Sequence, residues 1–272
     1  MPELPEVETI ARGLAQRVTG DTIESIWLGK KPEPLKSSAR EIATTLGDAR
    51  IVSVRRMGKH IVFDLQPKSR KAGQAQFIVH LGMTGSLQVS EPREEIAKHT
   101  HAIAKLASGR ELRFVDPRRF GRLSVSRAGN FSTVGIEPLE IDFEHFANLF
   151  RGRKTPIKSA LLNQKLLRGV GNIYADESLF RAAIRPRRRT STVTREQLAR
   201  LHASIKEVLK EAISLGGSSI SDYVGAGGET GFFQLQHRVY GREGEPCLVC
   251  ETPIKRIVIA GRSSHYCPHC QK

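Results

Sequence analysis

No apolar run in this 272-residue chain approaches the ~20 residues that a membrane-crossing helix needs, so nothing in it reads as a bilayer span. The N-terminus has acids and prolines where a secretory leader needs a basic and then an apolar segment, so a soluble intracellular protein is expected. Cysteine is missing from the first 246 residues; all four lie in the last 26, which excludes a disulfide framework spread through the fold. Acidic residues are in short supply, 28 against 43 basic ones. The resulting charge of +15 has to be displayed on the surface, where it attracts polyanions, with nucleic acid the leading partner. No internal repeat or low-complexity tract is present. At this length, with 39% hydrophobic residues, the chain can bury a core and divide into two or more domains.

What is there begins at Met1-Pro2-Glu3-Leu4-Pro5-Glu6-Val7-Glu8. Proline at position 2 is small enough for Met1 to be removed, which would leave Pro2 as a terminal secondary amine. An α-amine titrates near ~8 rather than the ~10 of a lysine, so a useful fraction is nucleophilic at neutral pH. Glu3 would stand one peptide away, placed to move protons. The same residues also make a helix start, with Pro5 near the first turn and acids favoured by the helix dipole.

Val7, Ile10, Ala11, Leu14 and Val18 recur at helical spacing over residues 5–19, and Gly20-Asp21 ends the pattern. Strand patterns follow at Thr22–Leu28, Arg50–Leu65, Gln76–Val89 and His101–Ser126, with a hairpin turn at Ser108-Gly109. One helix and a set of mostly antiparallel strands predict a β-sandwich or related two-layer domain over residues 1–132. Residues 68–73 read as an exposed basic loop, and a linker falls around residues 128–138. From Ile141 the pattern turns helical. Phe143, Phe146, Leu149 and Phe150 share one face, and Ile157, Ala160 and Leu161 suggest a second helix. Gly169-Val170-Gly171-Asn172 opens a third, through Phe180. Thr194 and Gln197 make a capping box for a long helix carrying Leu198, Leu201, Ile205, Val208, Leu209 and Ile213 inward. The fold class is therefore α+β and multidomain, with a helical domain over 133–235 and short strands around a metal over 236–272.

The metal reading rests on Cys247-x2-Cys250-x16-Cys267-x2-Cys270. Two close pairs of thiolates close a tetrahedral shell on Zn²⁺ and leave no open position, so one structural zinc is expected. His269 reads as a surface residue. Between the pairs, Lys255, Arg256 and Arg262 sit on a two-stranded finger suited to a phosphate backbone. Asp116-Pro117-Arg118-Arg119-Phe120-Gly121 sets an aromatic among arginines on a tight turn. Such a group can wedge into a base stack, and so can Met83 between Gly82 and Gly85. The plainer alternative puts Phe120 and Met83 in the core at strand ends. Gly169–Asn172 can present backbone amides to a phosphate, or be an ordinary helix corner. Lys59 and the run Arg185–Arg189 read by themselves as solvated.

Taken together these residues resemble the formamidopyrimidine-DNA glycosylase family, which is related to endonuclease VIII. The resemblance covers nearly the whole chain: Pro2–Glu8, the Lys59 segment, Asp116–Gly121, Gly169–Asn172 and the ribbon ending Cys267-Pro268-x-Cys270-Gln271. It implies a bifunctional glycosylase and AP lyase of base excision repair, with a helix-two-turn-helix element in the helical domain. Pro2 would be the Schiff-base nucleophile and Glu3 the proton donor that helps open the sugar. Lys59 would be a general acid in β-elimination, and Arg262 would serve δ-elimination and phosphate contact. His99, Arg118, Lys154 and Asn172 would contact DNA. Met83, Arg118 and Phe120 would fill the gap left by a nucleotide flipped out of the stack. The partner implied is double-stranded DNA carrying an oxidised base or AP site. The protein would act as a monomer in the bacterial cytoplasm, with no membrane association. Leu4 and the stretch Ser218–Phe233 look like the purine (8-oxoguanine and formamidopyrimidine) type. An endonuclease VIII-like preference for oxidised pyrimidines, or a non-catalytic zinc-ribbon DNA-binding protein, remain the alternatives.

Overall fold

The computed structural model describes residues 1–68, 73–218 and 231–272, and these form two compact units. Unit 1 comprises Met1–Thr133 with Gly216–Gly231, and unit 2 comprises Val134–Leu215 with Phe232–Lys272.

Unit 1 is built on helix α1, Leu4–Val18, with Pro5 in its first turn and Arg17 in its last. Leu4, Val7, Ile10, Ala11, Leu14 and Val18 are buried, so the helical spacing in the sequence marks the true inner face. Around it runs one antiparallel eight-stranded sheet. Its strands are β1 (Thr22–Leu28), β2 (Ala49–Met57), β3 (His60–Gln66), β4 (Ala75–His80), β5 (Ser86–Ser90), β6 (Thr100–Leu106), β7 (Glu111–Val115) and β8 (Arg122–Ser126). The order β5-β7-β6-β1-β2-β3-β4-β8 puts β5 at one edge, yet α1 packs against β2, β3 and β5 alike. The sheet therefore curls over, and one core, including Ile23, Phe63, Phe77, Leu87 and Phe114, lies inside a sandwich-like fold. Register shifts at Ile23/Ser25, Ile51/Ser53 and Thr100/Ala102 mark bulges, which increase local twist and bend strands.

The long strand patterns of the sequence resolve into pairs split by turns: β2 and β3 meet at Gly58-Lys59, β6 and β7 at Ser108-Gly109. One helix escapes the sequence reading. It is α2, Ala39–Leu46, capped by the Ser38 hydroxyl, which accepts from the Glu41 amide at 3.1 Å. Of the basic loop expected over 68–73, residues 69–72 lie outside the described residues, as do residues 219–230 of the stretch Ser218–Phe233.

Unit 2 holds α3 (Phe143–Phe150), α4 (Ile157–Leu162), α5 (Asn172–Arg181) and α6 (Arg195–Ser214), followed by the β9–β10 hairpin (Lys255–Ile259, Arg262–Tyr266). The Thr194–Gln197 capping box is formed. Leu198, Leu201, Ile205, Val208 and Leu209 point inward as expected, but Ile213 is only half-buried and Ala212 takes the inner position. Helix α5 packs against α4, α6 and β10, which makes it the hub of the unit.

Candidate functional site

In unit 1 the N-terminal residues are held by carboxylates. Pro2 is half-buried and Glu3 is buried at the N-cap of α1. The Glu3 amide donates to Glu6 Oε2 at 2.8 Å, and Glu6 Oε1 accepts the Ser218 amide at 2.8 Å. One turn along, Glu8 accepts Nε of Arg56 and Nε of Arg12, each at 2.7 Å. Burial alone would raise the Glu8 carboxyl; Arg56 and Arg12 outweigh it and hold it below its ordinary value. Arg56 also reaches the Gly58 carbonyl at 3.3 Å, so one side chain ties helix α1 to the turn that carries Lys59. Gly58 makes that two-residue turn with φ +59. Lys59 is half-buried. Beside it His60 and His80 pair across β3 and β4, ring centroids 5.0 Å apart. Burial, then His60, Lys59 and Arg122, push His80 down to about 4, so it stays neutral and accepts the Gly82 amide at 3.1 Å.

The turn at residues 116–121 is built on one carboxylate. Asp116 is fully buried. Its Oδ1 accepts Thr84 Oγ1 at 2.6 Å and the Arg118 amide at 3.2 Å, and its Oδ2 accepts the Gly121 amide at 2.7 Å. Those bonds pin the turn to the Met83 loop. A Cβ on Gly82 would come within 2.5 Å of the Phe120 carbonyl carbon and the Gly121 nitrogen, so the two backbones touch where only glycine fits. The plainer alternative for Phe120 and Met83 fails: they are 47% and 41% exposed. Arg118 lies over the Phe120 ring, its guanidinium carbon 5.0 Å from the centroid. The exposed His99 is joined to the same device, because its carbonyl accepts the Asp116 amide at 3.0 Å. The loop that leads to His99 hangs on Arg113, a buried residue that sequence reasoning passed over. Its guanidinium donates to the carbonyls of Glu91, Glu94 and Glu95 and to the Glu111 carboxylate.

In unit 2, Cys247, Cys250, Cys267 and Cys270 bring their sulfurs within 4.8 Å of one another. A tetrahedron with ~2.3 Å Zn–S bonds has edges of about 3.8 Å, and the Cys247–Cys270 pair stands at 3.9 Å. The donor set fits zinc. Burial pushes the Cys267 and Cys270 thiols up, with neighbouring sulfurs adding to it, and a bound divalent cation reverses that balance. His269 is exposed and outside the cluster. The second knuckle is locked by buried Gln271, which accepts the Cys267 amide and donates to the Ile184 carbonyl, both at 2.8 Å. Arg185 also donates to Pro268 and Gln271 carbonyls, so part of the arginine run binds the ribbon rather than only facing solvent.

The finger turns at Ala260-Gly261, both with positive φ, and exposes Lys255, Arg256 and Arg262. Beneath it lies an ion pair the sequence did not announce. Lys158 is 0% exposed, its Nζ 2.7 Å from Asp176 Oδ1 and 2.6 Å from the Ser263 carbonyl, while Asp176 Oδ2 accepts the His265 amide at 2.9 Å. A single charged residue in the short helix α4 was the available signal. Asn172 opens α5 after Gly171 and reaches Ser263 Oγ at 3.4 Å, which puts it beside Arg262 in the chain. Gln164 braces the preceding turn, accepting the Gly169 amide and donating to the Val170 carbonyl. Lys154 is exposed between α3 and α4. Thus unit 1 gathers Pro2, Glu3 and Lys59, and His99, Arg118, Phe120 and Met83. Unit 2 carries Lys154, Asn172, Arg262 and the cysteines. Among the described residues no helix is long and apolar enough to cross a membrane.

Comparison with known proteins accords with this arrangement. A family model for the formamidopyrimidine-DNA glycosylase N-terminal domain matches residues 1–123, and one for its H2TH domain matches residues 134–224. A zinc finger found in FPG and IleRS matches residues 244–272. A formamidopyrimidine-DNA glycosylase from Solibacter usitatus is 48% identical over 278 residues, covering both chains in full. The Thermus thermophilus protein of that name is 44% identical over 283 residues, covering 100% of this chain and 98% of its own. Among solved structures, the crystal structure of MutM (Fpg) from Thermus thermophilus superposes with a TM-score of 0.87 at 42% identity, covering 99% and 98% of the two chains. Lactococcus lactis Fpg in complex with Fapy-dG-containing DNA gives 0.88 at 34% identity, covering 99% and 100%.

Proposed function

The chain belongs to the formamidopyrimidine-DNA glycosylase family along its whole length, and from that membership we propose that it is a bifunctional glycosylase and AP lyase acting on oxidised purines in double-stranded DNA. With Met1 removed, the Pro2 nitrogen attacks C1′ of the damaged nucleotide. The N-glycosidic bond breaks and its electron pair leaves with the base. Glu3, buried beside Pro2, protonates the ring oxygen as the sugar opens, leaving an iminium ion on Pro2. The iminium is an electron sink: loss of the C2′ proton expels the 3′ phosphate by β-elimination, with Lys59 as general acid. A second elimination, assisted by Arg262, expels the 5′ phosphate. Phe120, Met83 and Arg118 occupy the stack that the flipped nucleotide vacates. His99, Lys154 and Asn172 hold phosphates.

The observation that carries the reading is the fixing of the N-terminus. Pro2 and Glu3 head a helix whose body is buried, and Glu6 and Glu8 tie that helix to the Ser218 backbone and, through Arg56, to the Lys59 turn. Such tethers hold a nucleophile and a proton donor in one geometry, which is where catalysis by positioning comes from. Cys247, Cys250, Cys267 and Cys270 would hold a structural zinc, which would brace the finger that carries Arg262. The working division of the chain is 1–132 for catalysis, 133–235 for the helix-two-turn-helix element and 236–272 for the ribbon. A monomer working on DNA in the bacterial cytoplasm completes the proposal.

Borohydride trapping on a duplex with one 8-oxoguanine, beside a duplex with an oxidised pyrimidine, tests it. The expected result is a covalent adduct on the purine lesion that maps to Pro2. Trapping mainly on the pyrimidine would move the specificity to the endonuclease VIII type. No adduct on either duplex or on an AP site, with DNA still bound, would leave a non-catalytic zinc-ribbon binder.

A further inference from the structure

Unit 1 carries a concavity that none of the roles above explains. A cavity of about 390 Å³ opens where β1 runs out and the chain enters β6. Trp27 forms its apolar wall, and Lys30, Lys31, Lys98, His99 and Arg119 supply the rest of the lining used here. None of the described lining residues is acidic. Trp27 is the sole tryptophan of the chain and is 52% exposed, on the outward side of β1 opposite Ile103. Here an open indole stands beside four cations, a flat π-face set among positive charges.

The floor is rigid. The Gly29 amide donates to the His101 carbonyl at 2.9 Å, and His101 Nε2 bonds the Asp116 carbonyl, also at 2.9 Å. The pocket is thereby pinned to the residue that staples the Phe120 turn. At its rim Glu33 accepts Arg119 at 2.8 Å, so a carboxylate already rests on one of the cations. The Glu33 carboxyl is held below its usual value, first by its own backbone amide and then by Arg119, Lys31 and His101.

We propose that this cavity is a nucleotide subsite, in which one nucleotide of an undamaged DNA strand stacks its base on Trp27 and sets its phosphate among Lys30, Lys31, Lys98 and Arg119. A flat π-face beside clustered cations matches a base and its phosphate, the pairing that single-strand binding surfaces use. An acidic peptide satisfies the cations but leaves the indole without a stacking partner. Glu33 acts as an internal competitor, an anion the phosphate displaces from Arg119. The subsite shares His99 with the proposed DNA interface but needs none of the excision chemistry.

Because Trp27 is alone, its fluorescence reads this pocket directly. The experiment titrates the full zinc-loaded protein with a lesion-free thymidine pentanucleotide, and separately with an oligoglutamate of equal charge. Saturable quenching by the pentanucleotide and little by the oligoglutamate is expected. Replacing Lys30→Ala and Lys31→Ala together should weaken the quenching affinity and lower its salt slope by up to about 0.7, the loss of one single-strand phosphate contact. Glu33→Gln should tighten it. An unchanged Trp27 signal while labelled DNA binds, equal quenching by oligoglutamate, or an affinity indifferent to the lysine pair would overturn the subsite. Borohydride trapping on the same wild-type preparation separates the two readings. Adduct without quenching sinks the subsite alone, and quenching without adduct sinks the catalytic proposal alone.

Discussion

Ser218 donates its backbone amide to Glu6 Oε1 at 2.8 Å, a bond between residues 212 positions apart that ties the start of helix α1 to the stretch following α6. The neighbouring Gly217 has φ +83, and a Cβ there would stand 3.0 Å from Glu6 Cγ, so the close approach needs a residue without a side chain. Glu6 Oε2 meanwhile accepts the Glu3 amide, which makes this carboxylate a two-sided acceptor.

Glu6→Gln should therefore be costly out of proportion to its size. One oxygen becomes an NH₂ that confronts a backbone N–H, a mismatch of about 1–3 kcal/mol in a buried setting. Single-turnover excision should slow by ten-fold or more, on the order of that energy, while equilibrium binding to lesion DNA stays near wild type. A variant whose binding falls as far as its rate would show that Glu6 supports the fold rather than the placement of Pro2 and Glu3.

Asp116→Asn should loosen the wedge. The carboxylate serves the Thr84 hydroxyl and the amides of Arg118 and Gly121, and an amide cannot accept at both of its ends. A stability loss of about 1–3 kcal/mol is expected, measured by urea unfolding. 2-Aminopurine placed opposite the lesion should report weaker base displacement. Phe120→Ala should remove the displacement with far less effect on unfolding, since its ring is exposed.

Acid should destabilise the protein well before its carboxylates titrate. His80 and His237 are pushed down to about 4, both first by burial. Unfolded, each takes up its proton near ~6.5. Between those values the unfolded chain binds more protons, so both contributions are complete above pH ~6.5 and drain away as pH falls toward 4. Thermal unfolding followed from pH 8 to 4 should give a flat midpoint above ~6.5 and a decline below it. His80→Gln should flatten part of that decline, and a profile that begins to fall only under pH 4 would contradict the assignment.

Zinc removal should act at a distance from the metal. Cys247 and Cys267 belong to a small core with Phe180, Val239 and Ile254, so chelation dissolves packing on α5 as well as the ribbon. Cys250→Ser should release zinc, read by a colorimetric chelator. It should abolish binding to AP-site duplex while the far-UV signal of unit 1 persists.

Much of this was readable from the sequence because it rested on local periodicity or fixed spacing. The buried face of α1, the Thr194–Gln197 cap and the cysteine pairs of the ribbon are all of that kind. Helix α2 was missed because only Ile42, Thr45 and Leu46 of it are buried, too little for a periodic signal. Its one mark was Ser38 with Glu41 three residues on. Lys158 stood out only as the charged residue of α4, and nothing local reveals that Asp176 on α5 pairs with it. The openness of Trp27 was equally hidden: alternation gives two faces to a strand, but the packing around it decides which is covered. Pro2 and Arg262 were marked as candidates by residue chemistry and chain position, and Lys59 by resemblance. Their supports, Glu6, Arg56, Asp116 and Arg113, were not, because each works through hydrogen bonds to distant backbone.

The Glu6–Ser218 bond also sets an order of events during synthesis. Unit 1 draws on Met1–Thr133 and then on Gly216–Gly231, with the helices of unit 2 encoded between. As the chain leaves the ribosome, α1 and the whole eight-stranded sheet emerge before the amide that completes the Glu6 carboxylate exists. The N-terminal end of the protein thus gains its Ser218 tether only after most of the remaining chain has been made.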